Sequence, residues 1–575
     1  MKCIIRYMRP FFSVMALGLF IKVSGSLSEL VLPYILQHIL DNVVPQASIP
    51  KIIIWGILMV ACAAMALICN VQANRMASKV ARNSARALRH DLFRKTMHLT
   101  ARQTDRFTIP SLESRLTSDT YHVHNFIERI QRLGVRAPIL LIGGLAMTAT
   151  LDWKLTLVMV AVMPFLGISV YLISKQGVPL YSKVQQSADR MVRVVREDAQ
   201  GIRVIKALSK TDYEKRRFDN YNRDLSHTER RAGIIMAASN PTMNLFLNLG
   251  LTTVIFVGAL LISGNSGTKP GIIIAFMQYF TLLSNALLGI TRLFVMYTKS
   301  AASANRIAEV LETEDDLPVL PERDFPHRRE EGYLVFDHVD FSYNGTKNNL
   351  TDISFSLPKG KTLGIIGATG SGKSTVIQLL MRFYDVGGGA IRIGGEDVRT
   401  IPAGDLHARF GVAMQNDFLY ADTIYENIRF GRDLTEEQIR RAADMAQASD
   451  FIEAFPDGYQ HQLSAKGTNV SGGQKQRLLI SRALAGDPDI LILDDSSSAL
   501  DYKTDANLRA AIAAGMKNTT TIVVAQRISS IKHADLILVL DEGRIIGKGD
   551  HEHLMATCDI YREISESQMG GAFVE

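Results

Sequence analysis

Gly367-Ala368-Thr369-Gly370-Ser371-Gly372-Lys373-Ser374-Thr375 is the stretch that decides how the second half of this chain folds. It matches G-x-x-x-x-G-K-[ST], the phosphate-binding P-loop, whose context is a strand before and a helix after. Thr362-Leu363-Gly364-Ile365-Ile366 is a short apolar run that reads as a buried strand, and the residues from Thr375 to Met381 can wind as a helix. The glycines allow successive N–H groups to turn towards phosphate oxygens at the positive end of that helix. Lys373 is placed for the β- and γ-phosphates, and the Ser374 hydroxyl for Mg²⁺. The stretch predicts binding of a nucleoside triphosphate.

At 575 residues the chain exceeds a single core and calls for two or more domains. Hydrophobic residues make up 47% and charged ones 21%, and the mean hydropathy is +0.09. That mixture suits a membrane half joined to a soluble half. The cysteines, Cys3, Cys62, Cys69 and Cys558, form no C-x-x-C pair, so neither a disulfide framework nor a zinc site is indicated.

Lys2, Arg6 and Arg9 precede an apolar run that continues from Phe11 past Leu32, and no small-residue cleavage site closes it. It reads as a retained membrane helix rather than a leader. Further apolar stretches centre on 52–68, 138–151, 155–173, 245–262 and 272–294. A span needs about 20 mostly apolar residues, so six spans are expected. Short links (Asp152-Trp153-Lys154, and 263–271) alternate with long basic excursions. One carries Arg75, Lys79, Arg82, Arg86, Arg89, Arg94 and Lys95, the other Lys183, Arg190, Arg193, Arg196, Arg203, Lys206 and Lys210. Basic loops stay on the cytoplasmic side. The net charge of +7 is therefore topological, and no nucleic-acid partner is expected. Both excursions keep helical spacing, so the spans should run on as helices beyond the bilayer.

Lys22, Glu29, Asn244, Asn248, Gln278 and Arg292 fall inside apolar runs, where ionisable groups face the bundle interior or a wet cavity. Lys22 and Glu29, seven apart, could pair or snorkel. Gln278, with Tyr279 and Phe280, is the better candidate for a substrate path. From Glu312 the composition turns acidic and proline-bearing (Pro318, Pro321, Pro326, ending at Glu331), which marks a linker. The expected domains are a transmembrane region at 1–311, a linker at 312–331 and a soluble domain at 332–575.

Around the P-loop stand Phe341-Ser342-Tyr343, Gln415 after the apolar strand 410–414, Val470-Ser471-Gly472-Gly473-Gln474, Ile490-Leu491-Ile492-Leu493-Asp494, and Ser498-Ala499-Leu500-Asp501. In this order they resemble the ATP-binding cassette proteins, of which S-G-G-Q is the signature. With the six spans, the whole chain is similar to an ABC exporter half-transporter. The resemblance implies an α-helical membrane domain, an α/β P-loop cassette with a helical subdomain between Gln415 and Pro488, ATP and Mg²⁺ as cofactors, and a location in the cytoplasmic membrane. Tyr343 would stack on adenine, and Asp494 would serve Mg²⁺ together with Ser374 and Gln415. Ser471, Gly472, Gly473 and Gln474 would complete the ATP site of a second half-transporter.

Two residues depart from the family pattern. Asp495 stands where the family has the Glu that polarises water, and Gln526 stands where it has a switch His. A third departure is softer: Ala465-Lys466-Gly467 occupies the place where an acidic residue often precedes the signature. The pattern predicts the degenerate-site subunit of a heterodimeric, multidrug-type exporter of amphipathic small molecules, acting in the lipid bilayer. The alternatives are a homodimeric lipid or peptide exporter, or an ATP-binding channel or regulator that does not pump. Short helices near 111–118 and 201–208 are expected at the tips of the excursions.

Overall fold

The structure, a computed structural model, describes residues 1–264, 268–325, 332–415, 417–496 and 498–569. The side chain of Arg292, and the linker residues Pro326 and Glu331, lie outside the described residues. The chain divides into two units, residues 1–98 with 108–313, and residues 99–107 with 314–575.

Among the described residues the first unit is made of helices joined by short links. Among the described residues, five helices are long and apolar enough to cross a membrane: Cys3–Gln46, Ile49–Met97, Ile109–Leu151, Asn244–Ser263 and Pro270–Ile290. A sixth apolar stretch, Trp153–Ser169, is shorter. The expected extension beyond the bilayer is found. The helix Ile49–Met97 has 49 residues and Trp153–Ala207 has 55, about 74 and 82 Å at 1.5 Å per residue, against a hydrocarbon layer of about 30 Å. The short link at Asp152 is a cap. Its carboxylate accepts from Lys154 N (2.9 Å) and Leu155 N (3.3 Å), while its other oxygen accepts from Thr268 Oγ1 (2.7 Å) in the second short link.

The intramembrane polar residues find partners other than those expected. Lys22 and Glu29 do not pair with each other. The Lys22 ammonium donates to Asn70 Oδ1 (2.7 Å) and Asn74 Oδ1 (3.2 Å), and Glu29 pairs with Arg136 (2.5 Å). Tyr279 and Phe280 are fully buried, with the Tyr279 hydroxyl donating to the Leu30 carbonyl, so these two rings belong to the core. Gln278 does line an open cavity of about 470 Å³ together with Glu29, Pro33 and Leu251. Asn244 and Asn248 are exposed.

The second unit holds two sheets. Strands β1 (Leu334–Phe341), β2 (Leu350–Leu357), β4 (Gly388–Ile393) and β5 (Glu396–Asp397) form an antiparallel sheet in the order β2-β1-β4-β5. Strands β3 (Thr362–Gly367), β6 (Phe410–Ala413), β7 (Ile490–Asp494), β8 (Thr520–Val524), β9 (Leu536–Asp541) and β10 (Arg544–Gly549) form a second sheet, ordered β10-β9-β3-β8-β7-β6. It is parallel except for β10. The inner strands β3, β7 and β8 are apolar on both faces, as a parallel sheet covered by helices requires. The helical subdomain expected between Gln415 and Pro488 is present as Ile424–Arg429, Glu436–Met445, Ser449–Glu453 and Gly472–Leu484, and its apolar core is continuous with Leu491, Leu493, Leu508 and Ile512 of the sheet and the following helix.

Of the short helices expected at the excursion tips, the one near 111–118 is present as Ile109–Ser114, which runs through a π turn at Arg115–Asp119 into the helix Thr120–Leu151. A further short helix, Ala101–Phe107, belongs to the cassette unit, where Gln103 Nε2 donates to the Glu314 carbonyl (2.7 Å) and Tyr384 donates to Asp105 (2.8 Å). Residues 201–208 form no separate helix. They complete Trp153–Ala207, which a turn at Leu208 ends. The acidic linker is also tied down, since Pro318 O accepts from Arg382 (2.8 Å) and Leu320 N donates to Arg399 O (2.9 Å).

Candidate functional site

The P-loop leaves the carboxyl end of β3 and enters the helix Lys373–Leu380. Its backbone takes left-handed conformations at Gly370 (φ 85°) and Gly372 (φ 102°). A Cβ on Gly372 would meet the tip of the Leu350 side chain at 2.6 Å, which can shift, so it is the left-handed conformation that demands glycine there. The Lys373 ammonium donates to the carbonyls of Gly367 and Ala368 (both 2.8 Å), folding it back over the loop. The loop opens on a cavity of about 350 Å³ lined by Thr369, Gly370, Gly372, Lys373, Ser374, Thr375, Gln415, Asp494, Asp495 and Gln526, with Asn349, Val524 and Ala525.

Three strand ends bring these groups together. Strands β6, β7 and β8 lie side by side and parallel, so Gln415, Asp494 and Gln526 emerge along one edge. Asp495 has a left-handed backbone (φ 49°), and its N–H donates to Val524 O (2.8 Å). Its carboxylate Oδ2 accepts from both Gln415 Nε2 (3.2 Å) and Gln526 Nε2 (3.1 Å). Burial, with Asp495 alongside, pushes the Asp494 carboxyl above its usual range. Burial pushes Asp495 up as well, and draws the Lys373 ammonium down.

The donor set fits a hard divalent cation. Ser374 Oγ stands 3.5 Å from Asp494 Oδ2, and Gln415 lines the same cavity. A hydroxyl, a carboxylate and an amide oxygen suit Mg²⁺, which otherwise keeps water and phosphate oxygens. The loop fits a triphosphate by its N–H groups and by Lys373.

The remaining expected residues lie outside the cavity lining. Gly367 ends β3, and the Ser371 side chain is buried beneath the loop, its Oγ without a hydrogen-bond partner among the described residues. Tyr343 packs edge-on against Phe341 and Tyr384, and its hydroxyl donates to Gln378 Oε1 (2.6 Å) beside Thr375. Ser471 caps the helix Gly472–Leu484: its side chain accepts from Gln474 N (3.2 Å), while Gln474 Oε1 accepts from Ser471 N (2.9 Å). Gly472 faces open space. Residues 471–474 are absent from the lining of the P-loop cavity of their own chain. Asn349 escaped the sequence reading, because it sits in the loop before β2 with no motif spacing to mark it. Its Oδ1 accepts from Tyr343 N (3.1 Å).

Fold and site together define a P-loop nucleotide-binding cassette fused to an apolar helical unit. The ABC transporter transmembrane region matches residues 15–287, and the ABC transporter cassette matches residues 350–498. An uncharacterized ABC transporter ATP-binding protein of Mycobacterium tuberculosis is 32% identical, over 99% of this chain and 98% of its own. Another from Bacillus subtilis is 32% identical over 98% of each. The chain belongs to the ABC transporters. Its fold is similar to that of a bacterial Atm1-family ABC exporter solved with ATP bound (TM-score 0.81, 22% identity, 98% of this chain and 99% of that one).

Proposed function

We propose that this chain is one subunit of a heterodimeric exporter, that it holds the slower of two ATP sites, and that it lends its signature to the faster one. The observation that carries this reading is the Asp495 carboxylate, held by the amides of Gln415 and Gln526. Asp is one methylene shorter than the Glu the family uses to orient water, about 1 Å, and misplacement on that scale can cost about 10²-fold in rate. The Gln526 amide can hydrogen-bond a phosphate but cannot become cationic, so it contributes less to a developing negative charge. The groups for binding ATP and Mg²⁺ (Lys373, Ser374, Asp494, and Tyr343 as a base platform) are retained. A homodimer would repeat Asp495 and Gln526 at both sites, which argues for a partner bearing Glu and His.

Export follows from the fusion of membrane region and cassette, with six spans in the cytoplasmic membrane. An apolar cavity with Gln278 and Glu29 suits amphipathic small molecules. Co-purification with a second half-transporter, followed by transport assays in inside-out vesicles, tests the reading. ATP-dependent uptake into such vesicles is expected. Equal pumping by this chain alone would overturn the heterodimer.

A further inference from the structure

A second cavity, larger than the nucleotide site, lies on the cassette between the helix Tyr502–Gly515 and the segment 529–534, and measures about 720 Å³. Its lining includes Leu493, Ala510, Ile512, Ala513, Met516 and Val523, which give an apolar floor formed partly by β7 and β8. Arg509, Lys517, Lys532 and His533 line it too. Thr362, Thr519, Thr521, Ser529 and Ser530 add neutral polar groups to the lining, and the volume falls within the roughly 300–1,000 Å³ usual for a small-molecule site.

The charges are one-sided. Asp505 is buried and occupied by Arg509 Nη2 (3.2 Å) and Ser530 Oγ (3.3 Å). Arg509 Nη1 donates to Ser529 O (2.9 Å), while its Nε is buried with no hydrogen-bond partner among the described residues. Lys517, Lys532 and His533 form no ion pair with any described residue. The His533 imidazole is held below its usual pKa by burial and by the neighbouring charges of Lys532, Arg509 and His551, a sign of local positive potential. An apolar floor beneath a cationic rim favours a molecule with an apolar body and a negative head, and disfavours its cationic counterpart.

We infer that this cavity is a binding site for an organic anion with an apolar body, separate from the ATP site and from the membrane unit. Nucleic acid is a poor fit, because the positive groups ring one pocket instead of forming an extended stripe.

Photolabelling of the full-length chain in lipid nanodiscs tests this, using 4-benzoylbenzoate as probe and saturating MgADP to fill the P-loop cavity. Labelling is expected on peptides spanning 506–517 and 529–534. It should drop about tenfold with Lys517→Glu plus Lys532→Glu, two charge reversals on the cavity rim. The cationic analogue 4-(aminomethyl)benzophenone should label these peptides weakly in the native chain and more strongly in the reversed variant. Should the reversed variant fold poorly, Ala510→Trp, which fills the cavity and leaves the charges, should also remove the labelling. Absence of label from both peptides would overturn the inference. So would equal labelling by the anionic and cationic probes, or labelling that survives both variants.

Discussion

The Gln526 side-chain amide donates to the Asp495 carboxylate at 3.1 Å, joining two residues on which the proposed slow ATP site rests. The bond crosses from the end of β7 to the end of β8, and Gln415 at the end of β6 shares the same oxygen. The side chains therefore form one hydrogen-bonded unit, a carboxylate oxygen held by two amides.

Restoring both positions should restore catalysis at this site. In a complex whose partner site has been silenced, Asp495→Glu with Gln526→His is expected to raise ATP turnover by up to about 10²-fold, each change alone giving less. Steady-state phosphate release measures it. An unchanged rate in the double variant would place the deficit elsewhere.

Loss of the signature and loss of Asp495 should differ. Gly472→Asp adds a side chain where nothing lies within 4 Å, so the fold of this chain should tolerate it. A negative charge at the helix start would repel the partner's nucleotide. Turnover of the complex should nearly vanish with Gly472→Asp and mostly persist with Asp495→Ala, with both variants showing native thermal unfolding. If Asp495→Ala stops hydrolysis as fully as Gly472→Asp does, Asp495 is a working base.

The edge strand β6 has no room for a methyl group at Gly411, where a Cβ would lie 2.1 Å from the Ala483 carbonyl oxygen. That oxygen belongs to the helix Gly472–Leu484, which positions the signature. Gly411→Ala is expected to destabilise the cassette by about 1–3 kcal/mol, the range for overpacking. A lowered midpoint in the thermal melt of the full chain checks this.

Lys22 is buried and held by two asparagine carbonyls, with no carboxylate in the contact. Replacing both acceptors (Asn70→Leu with Asn74→Leu) leaves an uncompensated charge, at a cost of about 3–5 kcal/mol. The yield of monodisperse protein in detergent should collapse. Adding Lys22→Met should recover it. Failure of that third change to rescue would mean the asparagines matter for a reason other than the ammonium.

What the sequence by itself determined lies in short stretches. The P-loop, the signature and the apolar strand ending in Asp494 are contiguous motifs, each built by local backbone geometry: positive φ at glycines, a Ser471–Gln474 capping box, a short buried strand. The long helices were legible over most of their length, because helical spacing of apolar residues continues past the bilayer-length runs, but the end of Trp153–Ala207 was not, since the same spacing also suits a separate helix at 201–208. Tertiary structure alone decided which neighbour each polar group meets. Periodicity tells which face of a helix is apolar, but not what packs against it. Lys22 finds Asn70 across 48 residues, Glu29 finds Arg136 across 107, and Asp495 meets Gln415 across 80. The burial of Tyr279 and Phe280, the place of Ala101–Phe107 in the cassette unit and the basic cavity behind β7 and β8 have the same origin. Each depends on side chains brought together by packing between distant segments, a relation that residue spacing along the chain does not encode.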